Sequence, residues 1–178
     1  MESLICIDLD ETLVFTTKKE YSPKYASAPG VKPIVTENGT YLTFLRSHTR
    51  EFLDACKAKA HTVIFTSGST EFQTEVLRQH GITDIPVYGR EDHNKLPKAK
   101  KTLLIDDLHV YTMGMQSKLQ ILNPELPVDE TGRTLPDNDT VHLLNVRPWG
   151  EPKSDQVLKD LIPTVQNYSL NKAPEIGL

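Results

Sequence analysis

Three short apolar runs mark the chain, and each ends in polar residues suited to chemistry. Leu4-Ile5-Cys6-Ile7 leads into Asp8-Leu9-Asp10, Thr62-Val63-Ile64-Phe65 into Thr66-Ser67, and Thr102-Leu103-Leu104-Ile105 into Asp106-Asp107. Such runs, partly β-branched and bounded by polar residues, read as buried strands. Their apolar character is nearly continuous, which suits parallel strands covered on both faces. Leu119–Leu122 and Val141–Val146 are weaker strand candidates. Helical patterns lie between the runs. Thr49–Ala60 places Phe52, Leu53 and Cys56 on one face. Thr70-Glu71-Phe72-Gln73 reads as a capping box, Val76 and Leu77 continue the face of Phe72, and Gly81 suits the stop. Ser154 is placed to cap a last helix carrying Val157, Leu158, Leu161 and Ile162, which Pro163 should break or kink. Alternating strands and helices predict an α/β fold with a central, mostly parallel sheet.

Two stretches interrupt this rhythm. Within residues 16–46, the β-prone runs Lys32–Thr36 and Thr40–Arg46 flank Glu37-Asn38-Gly39, a strong hairpin signal. Residues 123–140 are rich in Pro, Asp, Asn and Gly and read as a long loop or a second hairpin. No internal repeat or low-complexity tract is visible.

Composition narrows the picture. A chain of 178 residues has the length of one ordinary domain, so 1–178 reads as a single unit with inserts at 16–46 and 123–140 and a tail after 168. Lys and Arg number 20 against 24 Asp and Glu, a net charge of −4. That balance argues against a nucleic-acid partner, whose phosphates are met by excess positive charge. Cys6 and Cys56 are the only cysteines, which excludes a disulfide framework and a cysteine-rich zinc site; both read as core. No apolar run is long enough to span a bilayer and no signal-peptide pattern opens the chain, so no membrane partner is expected. Soluble and intracellular is the default reading, compatible with secretion by a route that needs no signal.

The candidate chemistry lies at the ends of the three runs. In an open α/β sheet, ligands bind beyond the carboxyl ends of the strands. Asp8 and Asp10, two apart, can leave the strand end on the same side. Two carboxylates there repel, so the site asks for a cation or a raised pKa. Asp106 and Asp107 end another strand at the same edge, so four carboxylates converge. Hard oxygen ligands without His or Cys suit Mg²⁺. Thr66 and Ser67 bring hydroxyls and a helix start to that edge, a setting for phosphate oxygens. Lys95, before the third run, is the candidate cation, with Lys98 as its substitute; Lys98, Lys100 and Lys101 otherwise read as a solvated loop. Thr12 reads as fixing its loop by hydrogen bonds. Arg46 and Trp149 read as structural, and the six histidines have no metal-ligand spacing.

These residues resemble the four motifs of the haloacid dehalogenase superfamily of phosphatases. Asp8-Leu9-Asp10-Glu11-Thr12-Leu13-Val14 is the first, Thr66-Ser67 the second, Lys95 the third and Asp106-Asp107 the fourth. The first is nearest the branch that acts on the RNA polymerase II C-terminal domain, together with its small relatives. Leu45-Arg46-Ser47-His48 through Phe52-Leu53 resembles that branch's Leu-Arg-Pro-Gly-x-x-x-Phe-Leu segment, with Ser47-His48 in place of Pro-Gly. Phe65-Thr66-Ser67-Gly68-Ser69 resembles its Phe-Thr-Ala-Ser, and Trp149 through Pro163 its closing segment. The stretch from Gly81 to Lys95 is short, where relatives carry a small extra sheet.

The resemblance implies a Rossmann-like three-layer sandwich with hairpin inserts and no large cap. It implies a Mg²⁺-dependent phosphatase working through an aspartyl phosphate. Asp8 is then the nucleophile, Asp10 the acid and base, and Thr66, Ser67, Lys95 and Leu9 the phosphate holders. Asp8, the Asp10 main-chain carbonyl and Asp106 hold the metal, supported by Thr12 and Asp107. The branch points to a phosphorylated protein or peptide, on phosphotyrosine or phosphoserine/threonine. A small-molecule or nucleic-acid-end phosphatase is the alternative on the same chemistry. A non-catalytic module reading phosphorylated partners is the alternative from another class, and intact Asp8 and Asp10 argue against it.

Overall fold

A computed structural model describes residues 1–168; the tail expected after 168 lies outside them. Among the described residues, eight strands and four α-helices follow one another. They are β1 (Ser3–Ile7), β2 (Val14–Lys18), β3 (Lys32–Thr36), β4 (Gly39–Leu45), α1 (Thr49–Lys59), β5 (His61–Phe65), α2 (Thr70–Gln79), β6 (Val87–Tyr88), β7 (Lys101–Asp106), α3 (Met113–Leu122), β8 (Val141–Asn145) and α4 (Val157–Asn167). Short 3₁₀ turns cover Pro23–Tyr25 and Arg90–Lys95.

The main sheet has the order β6-β5-β1-β7-β8, and every pairing in it is parallel. The three strongest apolar runs thus form adjacent central strands, with β1 between β5 and β7. Their side chains alternate between two buried layers. Ile5, Ile7, Ile64 and Leu103 meet Phe52, Leu53 and Cys56 of α1, Val76 and Leu77 of α2, and Leu158 and Val165 of α4. Leu4, Cys6, Val63 and Leu104 meet Met115 and Leu119 of α3. Helices cover both faces, so the sheet exposes its chemistry only at its edges and strand ends. The expected three-layer α/β sandwich is the observed fold, and Cys6 and Cys56 are core.

The 16–46 insert forms a second, antiparallel sheet in the order β2-β4-β3. Its β3–β4 turn falls on Glu37-Asn38, with Gly39 at φ +122°. Segment 123–140 is mostly loop, with isolated bridges joining Val128 to Thr134 and Asp137 to Val141.

Local expectations needed correction at three places. Leu119–Leu122 is the end of helix α3, not a strand. Met115 and Leu119, four apart, share the helix face that enters the core, and the Thr112 hydroxyl caps the start by accepting from the Met115 N–H. The cap of α2 is Ser69, one residue earlier than the Thr70 box; its hydroxyl accepts from the Phe72 N–H, and Gly81 at φ +78° forms the stop. Ser154 caps nothing and Pro163 sits inside α4. Leu158 and Val165 are buried on either side of Pro163, and their packing against α1 carries the helix past the missing N–H. Among the described residues, no helix is long and apolar enough to cross a membrane.

Candidate active site

The carboxyl ends of β1 and β7 lie side by side, with Ile7 opposite Ile105. Asp8 and Asp106 therefore leave the sheet together, and both are buried. Between them stands a residue that was not expected there. Lys118, from α3 and only 2% exposed, donates from Nζ to Asp8 Oδ1 at 2.8 Å and to Asp106 Oδ2 at 2.6 Å. Its ammonium also lies 5.5 Å from the centre of the Phe65 ring. These three groups form the floor of the site.

Asp107, half-buried, adds a third carboxylate. One oxygen each from Asp8, Asp106 and Asp107 lies within 4.8 Å of the others. The Thr12 hydroxyl stands 3.1 Å from Asp8 Oδ2 and 3.0 Å from Asp107 Oδ1, so a single proton serves two carboxylates. The loop that brings Thr12 back is tight. Thr12, Leu13 and Val14 all donate to the Leu9 carbonyl, and Glu11 takes a left-handed φ of 64°. Non-glycine residues avoid that region unless their surroundings hold them there. Here the Trp149 N–H donates to the Glu11 carbonyl at 2.7 Å, and Arg46 Nη1 donates to the Thr12 carbonyl at 3.0 Å. Arg46, fully buried, is paired through Nε and Nη2 with Asp155. Arg46 and the main chain of Trp149 thus brace the first motif from behind.

Asp10 and Ser67 form the rim, both exposed. Thr66 is buried at the end of β5, where its hydroxyl accepts from the Gly68 N–H. His93 contacts the Thr66 carbonyl through Nε2 at 2.8 Å. Asp10 Oδ2 accepts from Gln73 Nε2 of α2 at 2.8 Å. Leu9 is completely buried in the core, so only its main chain can face a phosphate.

The structure does not bring Lys95 to this cluster. Its ammonium pairs with Asp92 at 2.9 Å, and its side chain is 71% exposed. Lys98 is also exposed and donates to the Ile121 carbonyl. The cation of the floor comes from the helix after Asp106, not from the loop before it. Lys118 immediately precedes Leu119–Leu122, the run read as a strand, and the helix found there is what aims it at Asp8. Helical spacing of Met115 and Leu119, with Thr112 as cap, is the signal that would have found it.

Electrostatics separates floor from rim. Desolvation raises the Asp8 carboxyl to about 6 even against the adjacent Lys118. Asp106 is also raised, by burial first and then by the Asp8 charge. Lys118 is raised too, because two carboxylates outweigh its own burial. Contacts of 2.8 and 2.6 Å to two carboxylates keep the lysine charged. Desolvation and then the Asp8 charge push the Asp10 carboxyl up to about 6.

Three carboxylates against one ammonium leave two negative charges without compensation. All-oxygen donors with that deficit fit a hard divalent cation such as Mg²⁺. The Asp10 carboxyl is not one of the converging three.

The sequence profile of the NLI interacting factor-like phosphatases matches residues 3–175. No curated protein sequence matches the chain. Among solved structures, a fission yeast RNA polymerase II CTD phosphatase, Fcp1, in a variant bound to beryllium fluoride, is similar at a TM-score of 0.50 and 14% identity. That match covers 92% of this chain and 50% of the other. A second structure, of Fcp1 described as an essential RNA polymerase II CTD phosphatase, matches at a TM-score of 0.52 and 18% identity, covering 93% and 48%. At these identities the likeness concerns the fold, and the chain spans about half the length of these structures.

Proposed function

Because the chain belongs to the NLI interacting factor-like phosphatases of the haloacid dehalogenase superfamily, we propose that it hydrolyses phosphorylated protein side chains through a phosphoenzyme on Asp8. The observation that carries this reading is the floor itself: a buried aspartate at a central strand end, held against Lys118 and Asp106. A carboxylate so fixed cannot swing away from an incoming phosphoryl group, and a positioned nucleophile divides one hard displacement into two easier steps.

In the first step Asp8 attacks phosphorus and the bond to the leaving oxygen breaks. Asp10, at the rim, gives its proton to that oxygen. In the second step water attacks the acyl phosphate, Asp10 takes the water's proton, and Asp8 is released with inorganic phosphate. Thr66, Ser67 and the main chain at Leu9 hold the equatorial oxygens, and Lys118 replaces Lys95 as the neutralising cation. Asp8, Asp106 and the Asp10 main-chain carbonyl, with Asp107 in support, would hold Mg²⁺, which when bound would offset the like charges of nucleophile and phosphate.

A protein substrate is favoured by the space beside Asp10. A groove of about 660 Å³ lies between the β3–β4 hairpin and α2, lined by Tyr41, Gly68, Ser69, Phe72, Gln73 and Arg90. Gln73 belongs both to this groove and to the bond with Asp10, so the leaving group's side of the site opens onto a surface of peptide size. Turnover of p-nitrophenyl phosphate with and without Mg²⁺ tests the chemistry; no turnover at any pH would favour the non-catalytic module. A phosphopeptide panel set against metabolites and nucleotides tests the substrate. Preferential turnover of metabolites or nucleotides would overturn the protein reading and leave the chemistry standing.

A further inference from the structure

We propose that Gln73 is a positioning residue for Asp10, fixing which carboxyl oxygen carries the proton delivered to the leaving group; this rests on the phosphatase reading above. Asp10 is exposed at the rim. An exposed aspartate samples several side-chain rotamers, and most of them carry the proton away from the reaction. Among the described residues, the one side-chain hydrogen bond that Asp10 makes is to Gln73 Nε2, at 2.8 Å from Oδ2.

The bond is asymmetric in a useful way. An amide N–H can only donate, so it binds the carboxyl oxygen that lacks a proton. With Oδ2 engaged as acceptor, the proton of a neutral Asp10 resides on Oδ1. Oδ1 is then the oxygen that gives a proton to the leaving group and takes one from water in the second step.

Two further observations show that the protein accepts a cost to keep Gln73 there. The side chain is 3% exposed, and its Oε1 has no hydrogen-bond partner among the described residues. A buried amide oxygen left unpaired is unfavourable, and such groups call for a reason. The second is Gly68. A Cβ at that position would stand 2.4 Å from Gln73 Nε2 and 3.1 Å from its Cγ. Only glycine leaves room for the amide to reach Asp10, so residues 68 and 73 are matched across the start of α2.

The test uses a series of phosphate esters whose leaving groups run from acidic p-nitrophenol to a simple alkyl alcohol. kcat/KM reports the first step, in which protonation matters more as the leaving oxygen becomes more basic. Gln73→Met keeps the volume and removes the amide. Its loss of kcat/KM should grow along the series, reaching about tenfold or more at the alkyl end and staying well below that for p-nitrophenyl phosphate. Gly68→Ala should steepen the same dependence by displacing the amide, and the double variant should be no steeper than either single one. Thermal melts identify any variant that has merely lost its fold, and Gln73→Ala then replaces Gln73→Met in the series. Equal losses for every ester, or none, would overturn the assignment while wild-type turnover upholds the phosphatase reading. A wild-type protein that hydrolyses no ester in the series would overturn both.

Discussion

The floor and the rim of the site hold the same kinds of residue under opposite conditions. Among the described residues, the side chains of Asp8, Asp106 and Lys118 are buried and hydrogen-bonded only to one another and to the neighbouring loops. Asp10 and Ser67 stand in contact with solvent, with Gln73 as the single side-chain tether of Asp10. The ammonium of the floor cannot be removed without stranding two buried carboxylates. Charges at the rim are screened and can change at little cost to the fold. The floor is therefore suited to hold a nucleophile and a cation still, and the rim to exchange protons and meet a varied substrate.

Substitutions at the floor test that contrast most severely. Asp8→Asn should lower phosphomonoester turnover by at least about 10³-fold, more than one acid–base group usually supplies. It also removes one of three converging carboxylates, so its urea midpoint should be no lower than wild type. Near-normal turnover in Asp8→Asn would remove the nucleophile from the mechanism. Lys118→Met should behave in the opposite sense. It strands Asp8 and Asp106 without their shared ammonium, and loss of one partner of a buried ion cluster costs about 3–5 kcal/mol. Denaturant unfolding should show that loss, with turnover reduced in the same preparation. A Lys118→Met protein as stable and active as wild type would mean that the floor is not an electrostatic unit.

Magnesium sharpens the comparison more gently. If two floor charges lack compensation, Mg²⁺ binds the folded chain and not the unfolded one. At ten times its dissociation constant it should then stabilise the fold by about 1.4 kcal/mol. Thermal melts with and without Mg²⁺ would show the shift. It should be smaller in Asp106→Asn, whose carboxylate is one of the three, and unaffected by changes at Lys95. No shift at any Mg²⁺ concentration would count against a metal site on the floor.

The same division explains what was legible in the sequence. Strand ends announce themselves: apolar runs 4–7, 62–65 and 102–105 place Asp8, Thr66 and Asp106 at one edge by topology alone. The hairpin about Glu37-Asn38-Gly39 was equally plain, because its turn chemistry is local. Lys118 was hidden because nothing local marks a lysine whose partners lie 110 and 12 residues away. Its neighbours Leu119–Leu122 are apolar enough to read as a strand, and α3 begins with Met113-Gly114-Met115, which displays little polar alternation. The tie of Arg46 to Asp155 was hidden for the same reason, since the two lie 109 residues apart. Gln73 was visible only as the end of a supposed capping box; its bond to Asp10 depends on how α2 meets the first motif.

The smallest expected effect is the most discriminating between the two lysines. Lys95 precedes the third strand, the place where the family resemblance puts its cation, yet its ammonium pairs with Asp92 three residues earlier on the surface. Such a pair is solvated and screened, and neither member touches Asp8, Asp106 or Thr66. Lys95→Met should therefore change turnover of p-nitrophenyl phosphate by less than about twofold, at low and at moderate salt alike. A loss comparable to that of Lys118→Met would show that the 90–95 segment folds over the site when substrate binds, bringing a rim charge into the reaction. The division between floor and rim would then describe only the protein before substrate arrives, and Lys118 would be holding the nucleophile in place rather than meeting the phosphate.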